Sequence, residues 1–197
     1  MQILRNLRMK HQIKVGLVGS AGLGKSGVAT KLSETLGIPL ILSKEITRPI
    51  LLAHGFDYSK GTCVERFLSK KEIEFEIVNE RVLRESMKPE GFVTDRTTLE
   101  CFAYALLSVE RYTDDEISTL EAFCRGNMSC YTNIYYFPYN KGWFTENGIR
   151  TTNVHFQWKI DCIIRGLLAD WNIQYTEVDT ESAYQQIFDC LSAGERF

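Results

Sequence analysis

The residues Gly19-Ser20-Ala21-Gly22-Leu23-Gly24-Lys25-Ser26 fit the pattern G-x-x-x-x-G-K-[ST] at every fixed position. That spacing serves one kind of chemistry. Successive backbone N–H groups of such a loop converge on anionic oxygens, and the N-terminus of a following helix adds favourable partial charge. Glycines let the backbone approach phosphate without a Cβ in the way. Lys25 is placed to reach the β- and γ-phosphates of a nucleoside triphosphate, and the Ser26 hydroxyl to ligate Mg²⁺. All eight residues are candidate nucleotide-binding residues, with ATP and Mg²⁺ as the expected cofactors.

Further residues could complete a phosphoryl-transfer site. Asp95-Arg96 follows the apolar run Phe92-Val93-Thr94. Strand ends of open α/β sheets meet the ligand crevice, so Asp95 can hold Mg²⁺ or orient the attacking group, and Arg96 can neutralise substrate phosphate. Glu45 and Arg48 are three apart and share a face of a helical turn, suiting a sugar hydroxyl plus a phosphate or carbonyl. The segment Tyr139–Asn153 lacks periodicity and is long for an internal connection, so it is expected to be a lid. Arg150, near its end, is placed to swing onto the transferring phosphoryl group, with Lys141 a second candidate.

The elements that must carry these residues alternate. Strands are expected at Ile13–Val18, Ile38–Leu42, Phe92–Thr94, Tyr131–Phe137 and Ile173–Val178. Helices are expected at Lys25–Leu36, Glu45–Ala53, Ser59–Met87, Thr98–Val109, Thr113 to about Arg125, Val154–Ala169 and Ala183–Leu191. Strands alternating with helices mean a three-layer α/β fold with a parallel sheet.

Composition limits the alternatives. A chain of 197 residues predicts one domain, here 11–197 preceded by an extension 1–10 in which Met9 is a plausible start. Apolar types are 44% and charged types 24%, an ordinary globular balance that excludes a disordered chain. No apolar stretch reaches the roughly 20 residues of a membrane-spanning helix. The formal charge of −2 argues against bulk-charge binding to nucleic acid. Six cysteines form no C-x-x-C pair and no secretory signal precedes them, so reduced thiols in a cytoplasmic setting are expected. A Ras-like GTPase is disfavoured, because Asn140-Lys141-Gly142-Trp143 lacks the aspartate of N-K-x-D and no D-x-x-G follows the third strand.

With these residues in hand, the sequence resembles the small P-loop nucleoside and nucleotide kinases. Within them it is similar to the AAA-type branch related to nicotinamide riboside kinases and bacteriophage deoxynucleotide kinases. The likeness rests on Gly19–Ser26, Glu45-x-x-Arg48, Asp95-Arg96 followed by Ala103-Tyr104, and Gly148-Ile149-Arg150 followed by Ile160-Asp161. Trp158 departs from the pattern, standing where a basic residue is expected. The resemblance implies five parallel strands in the order 2-3-1-4-5. It also implies an ATP-dependent phosphotransferase acting on a nucleoside or nucleotide. The three arginines of the expected cleft, Arg48, Arg96 and Arg150, favour a nucleoside monophosphate, a deoxynucleotide in the first instance, as acceptor of the γ-phosphate. Lys25, Asp95, Arg150 and Glu45 would then be catalytic, Glu45, Arg48 and Arg96 would bind the acceptor, and Ser26 and Asp95 would hold the metal. A nucleoside, or a hydroxymethylated base in phage DNA, is an alternative acceptor, and only the latter brings in nucleic acid. Homodimerisation stays open. The rival of another class is a nucleotide-dependent binding or switch ATPase, in which Glu45, Arg48 and a lid would be superfluous.

Overall fold

A computed structural model describes residues 12–56, 70–140 and 154–194. Strand β1 (Ile13–Val18) lies at the centre of a five-stranded sheet with order β2-β3-β1-β4-β5, and every pairing is parallel. It runs beside β3 (Gly91–Thr94), with Ile13 opposite Gly91 and Gly16 opposite Thr94. On its other side is β4 (Asn133–Tyr136), with Val15 opposite Asn133 and Val18 opposite Tyr136. β2 (Leu40–Ile41) and β5 (Thr176–Glu177) form the two edges.

Helices cover both faces, and so β3 and β4 are buried at every position and read in sequence as continuous runs, without polar alternation. Side chains still alternate between two cores. Val15, Leu17, Val93 and Tyr135 pack against α1 (Lys25–Leu36) and α7 (Ala183–Ala193). Val18, Phe92, Ile134 and Tyr136 face the opposite core, shared with α2 (Ser43–Ala53), α3 (Lys71–Ser86), α4 (Thr98–Ala105), α5 (Asp114–Met128) and α6 (Val154–Asp170). The expected three-layer parallel α/β fold and its strand order are both present.

Several boundaries differ from the sequence reading. The helix expected through Val109 ends at Ala105 and gives way to a 3₁₀ turn over Leu106–Arg111, in which Ser108 is non-helical at φ −135° and ψ 37°. The second strand keeps two residues of the expected five, because Pro39 removes a donor at its start and α2 already begins at Ser43. Of the long helix placed at Ser59–Met87, Lys71–Ser86 is observed, and 57–69 lies outside the described residues. The fifth strand pairs only over Thr176–Glu177. Cys101, Cys124, Cys130, Cys162 and Cys190 are free thiols, and Cys63 lies outside the described residues. Among the described residues no helix is long and apolar enough to cross a membrane.

Candidate active site

The turn after β1 is shaped by steric necessity. Gly19 has φ +147°, and a Cβ there would lie 2.5 Å from the carbonyl oxygen of Phe137, so only glycine fits. Gly24 is left-handed at φ 77° and caps α1, leaving Lys25 and Ser26 as that helix's first residues.

Side chains from distant parts of the chain then fasten the loop. The Lys25 ammonium is 6% exposed and donates to the carbonyls of Gly19 and Ser20, the latter at 2.7 Å. Its nitrogen lies 4.0 Å from Glu100 Oε1. Glu100 itself is fully buried at the start of α4, where it forms a capping box with Thr97. Its Oε2 accepts from the Thr97 N–H at 2.7 Å and hydroxyl at 2.9 Å, and its Oε1 accepts from the Gly19 N–H at 3.3 Å. Burial pushes the Glu100 pKa up, while Lys25, Arg96 and the Thr97 bonds pull it back. From α6, the buried Gln157 accepts at Oε1 from the Ala21 N–H at 3.1 Å.

Asp95 joins two walls of the site. One carboxylate oxygen accepts from the Ser26 hydroxyl, and the other accepts from the Ser43 N–H at 2.7 Å. Ser43 is the first residue of α2, which explains why that helix starts two residues before the expected Glu45. An acidic side chain completes a helix N-terminus that has no side-chain cap of its own. The end of β3 is held in turn by Arg81, fully buried on α3. Its guanidinium donates to Thr94 Oγ1 at 3.0 Å, the Arg96 carbonyl at 2.7 Å and the Ser43 hydroxyl at 3.0 Å. Glu85, 3.8 Å away on the same helix, supplies the counter-charge.

The structure thus brings Lys25, Ser26 and Asp95 together. Arg96 turns towards α4, its guanidinium carbon 4.9 Å from the centre of the Tyr104 ring and one nitrogen 3.4 Å from the Tyr104 hydroxyl. Burial works against its charge, but Tyr104, Glu100 and Asp95 outweigh that and hold its pKa above the ordinary value. Glu45 and Arg48 are exposed on the first turns of α2, the helix whose first amide donates to Asp95. Arg150 and Lys141, with most of the expected lid, lie outside the described residues, and Trp158 is 55% exposed on α6.

Glu100, Arg81 and Gln157 escaped the sequence reading. Thr97-x-x-Glu100 is a recognisable capping-box pattern, yet it announces a helix start and not a contact 81 residues away. Arg81 and Gln157 sit in helices whose sequence carries no sign that they are buried.

A parallel sheet of order 2-3-1-4-5, with a phosphate loop after β1 and an aspartate at the end of β3 touching its serine, defines the P-loop kinase fold. The model of the AAA domain family matches residues 14–186, and the chain belongs to that family. A NadR protein solved in complex with NR superposes with a TM-score of 0.67 at 16% identity, covering 96% of this chain and 53% of that one. NadR with NAD and AMP-PNP gives 0.68 at 15% identity, covering 98% and 52%, so the chain spans about half of the NadR length. Deoxyadenosine kinase from M. mycoides with bound dCTP gives 0.59 at 13% identity, covering 92% and 100%. At these identities the likeness is one of fold. No curated protein sequence matches.

Proposed function

We propose that the protein is an ATP-dependent phosphotransferase acting on a nucleoside monophosphate, with a deoxynucleotide as the first candidate. One observation carries the reading. The Ser26 hydroxyl of the phosphate loop and the first amide of α2, the helix bearing Glu45 and Arg48, meet on the same Asp95 carboxylate. A donor-phosphate site and a second set of charged groups therefore share a wall, which a binding or switch ATPase without an acceptor does not need.

The loop amides and Lys25 bind the triphosphate, and the Lys25 charge follows the negative charge as it shifts between the β- and γ-phosphates. Ser26 and Asp95 fit Mg²⁺, since a hydroxyl and a carboxylate are both hard oxygen donors that leave coordination positions for phosphate and water. Bound there, the ion would neutralise phosphate charge. Arg48 and Arg96 bind the acceptor's anionic group, and Glu45 orients its sugar or accepts a proton.

A nucleoside acceptor is the second reading. Arg96 is engaged by Tyr104 and flanked by acidic groups, which leaves less cationic surface for an acceptor phosphate. The fold neighbours solved with NR and named deoxyadenosine kinase point the same way. A coupled ADP-release assay across nucleosides and monophosphates, with product mass measured, separates the two. Transfer to monophosphates alone supports the first reading, transfer to nucleosides alone the second, and ATP hydrolysis unmoved by either overturns both. Ser26→Ala should raise the Mg²⁺ concentration needed for half-maximal rate, and an unchanged titration would remove Ser26 from the metal site.

A further inference from the structure

The Ser20–Ala21 peptide of the phosphate loop is gripped at both of its polar edges. Its carbonyl accepts from the Lys25 ammonium at 2.7 Å, and its N–H donates to Gln157 Oε1 at 3.1 Å. A trans peptide is planar, with C=O and N–H on opposite edges, so the two bonds fix the orientation of a single plane. Donation to Gln157 also polarises the carbonyl that holds Lys25. Gln157 is 1% exposed and reaches the loop from 136 residues away. The same helix holds the end of β4, because Asp161 Oδ1 accepts from the Tyr136 hydroxyl at 2.8 Å and the Tyr139 N–H at 3.1 Å. α6 therefore presents two buried acceptors, one turn apart, to the loop after β1 and the segment after β4.

We propose that Gln157 is a positioning residue of the nucleotide site, which keeps the Ser20 carbonyl turned onto Lys25 and away from the bound triphosphate. The physical need is clear. A loop that binds phosphate through N–H groups cannot afford a carbonyl oxygen facing the same anion, and this peptide lies in the half of the loop where the Lys25 ammonium sits. Without Gln157 the Lys25 bond alone holds the plane, which can then tilt its oxygen towards the terminal phosphates that Lys25 serves. The γ-phosphate carries the extra charge, so the residue discriminates ATP from ADP. This rests on the nucleoside triphosphate reading of the loop and is independent of the acceptor.

The test is calorimetric titration of the full chain with ATP and with ADP, alongside thermal unfolding, for the wild type, Gln157→Met and Gln157→Glu. Met keeps the volume and removes the acceptor. It should weaken ATP binding about tenfold, the order of one lost buried hydrogen bond, and ADP binding by less. Glu keeps an acceptor for Ala21 but adds a negative charge. Buried one turn from Asp161, that charge should lower the unfolding temperature, but the kept acceptor should leave the ratio of ATP to ADP affinity closer to the wild-type ratio than in the Met variant. Equal losses for ATP and ADP in Gln157→Met would overturn the proposal, as would wild-type ATP affinity in that variant, which would make the side chain a structural peg. A wild-type chain that binds ATP with these contrasts yet transfers phosphate to no acceptor would defeat the functional reading and leave this inference standing.

Discussion

The surroundings of the Gly19–Ser26 loop and the proposed acceptor side on α2 are built in opposite ways. Lys25, Asp95, Glu100 and Gln157 are all buried, and the bonds of the last three to Ser26, Gly19 and Ala21 span 69, 81 and 136 residues of chain. Glu45 and Arg48 are exposed and belong to one short helix. Every nucleoside triphosphate presents the same polyphosphate, so a rigid backbone cradle suffices to bind it and can be locked into the core. An acceptor must be told from its competitors, which calls for side chains that meet it from solvent. Damage on the first side should therefore cost stability and turnover together, and damage on the second should change acceptor KM or turnover with stability unmoved.

The hardest blow falls on the framework. Arg81→Met leaves Glu85 buried without its cation and frees Thr94, Ser43 and the Arg96 carbonyl. Urea unfolding should show a loss of about 3–5 kcal/mol. A double variant with Glu85→Gln should recover part of it, and the absence of recovery would remove the ion pair from the account.

Lys25→Ala should lower turnover about 10²–10³-fold and also reduce stability, because Glu100 loses its nearby positive charge. Turnover above a tenth of the wild-type value would contradict the role given to Lys25. Lost turnover with unchanged stability would break the link between burial and function on this side.

Glu74 tests the framework through pH. It is 4% exposed on α3, and burial pushes its pKa up to about 8, with Arg96 pulling it back. Its Oε1 has no hydrogen-bond partner among the described residues. Between its unfolded value of about 4.5 and about 8, the folded state holds a proton that the unfolded state has released, so stability falls as pH rises through that window. Replacement by the neutral isostere in Glu74→Gln should remove about 1.4 kcal/mol per pH unit of that slope. Parallel pH profiles for wild type and variant would show that Glu74 titrates normally.

The acceptor side, with Arg48→Ala the smallest effect of all, sharpens the comparison most. Arg48→Ala should raise the acceptor KM about tenfold or more, the loss of a hydrogen bond to a charged group, with the ATP KM and the unfolding midpoint unmoved. For a hydroxyl acceptor, Glu45→Gln should lower kcat by about 10²–10⁴, and for a monophosphate mostly KM should change. Equal loss of ATP and acceptor affinity in both variants would place α2 on the wrong side of the cleft.

How much of this was legible in the sequence depends on the range of the physics involved. The loop Gly19–Ser26, the helix it opens and the buried strands at Ile13–Val18 and Phe92–Thr94 follow from local sterics and hydrophobic pattern, and all stand where they were expected. Thr98–Val109 reads as one helix because apolar residues on all sides hide a break, and the turn at Ser108 carries no glycine or proline to announce it. Asp95 could be singled out by its place after a strand. That it also caps α2 could not, since Ser43 is 52 residues away.

The sequence by itself determined the fold class and the glycine turn of the loop Gly19–Ser26, because short-range periodicity and φ-restricted glycines encode both, and it offered charged residues as candidates for a site. Only the tertiary structure decided which of those charges meet. It joined Ser26 to Asp95, set Arg96 over Tyr104, and drew Glu100, Arg81 and Gln157 out of ordinary helical sequence into the core of the site. A buried polar side chain must find a partner, and its partner is fixed by how strands and helices pack, not by its neighbours along the chain.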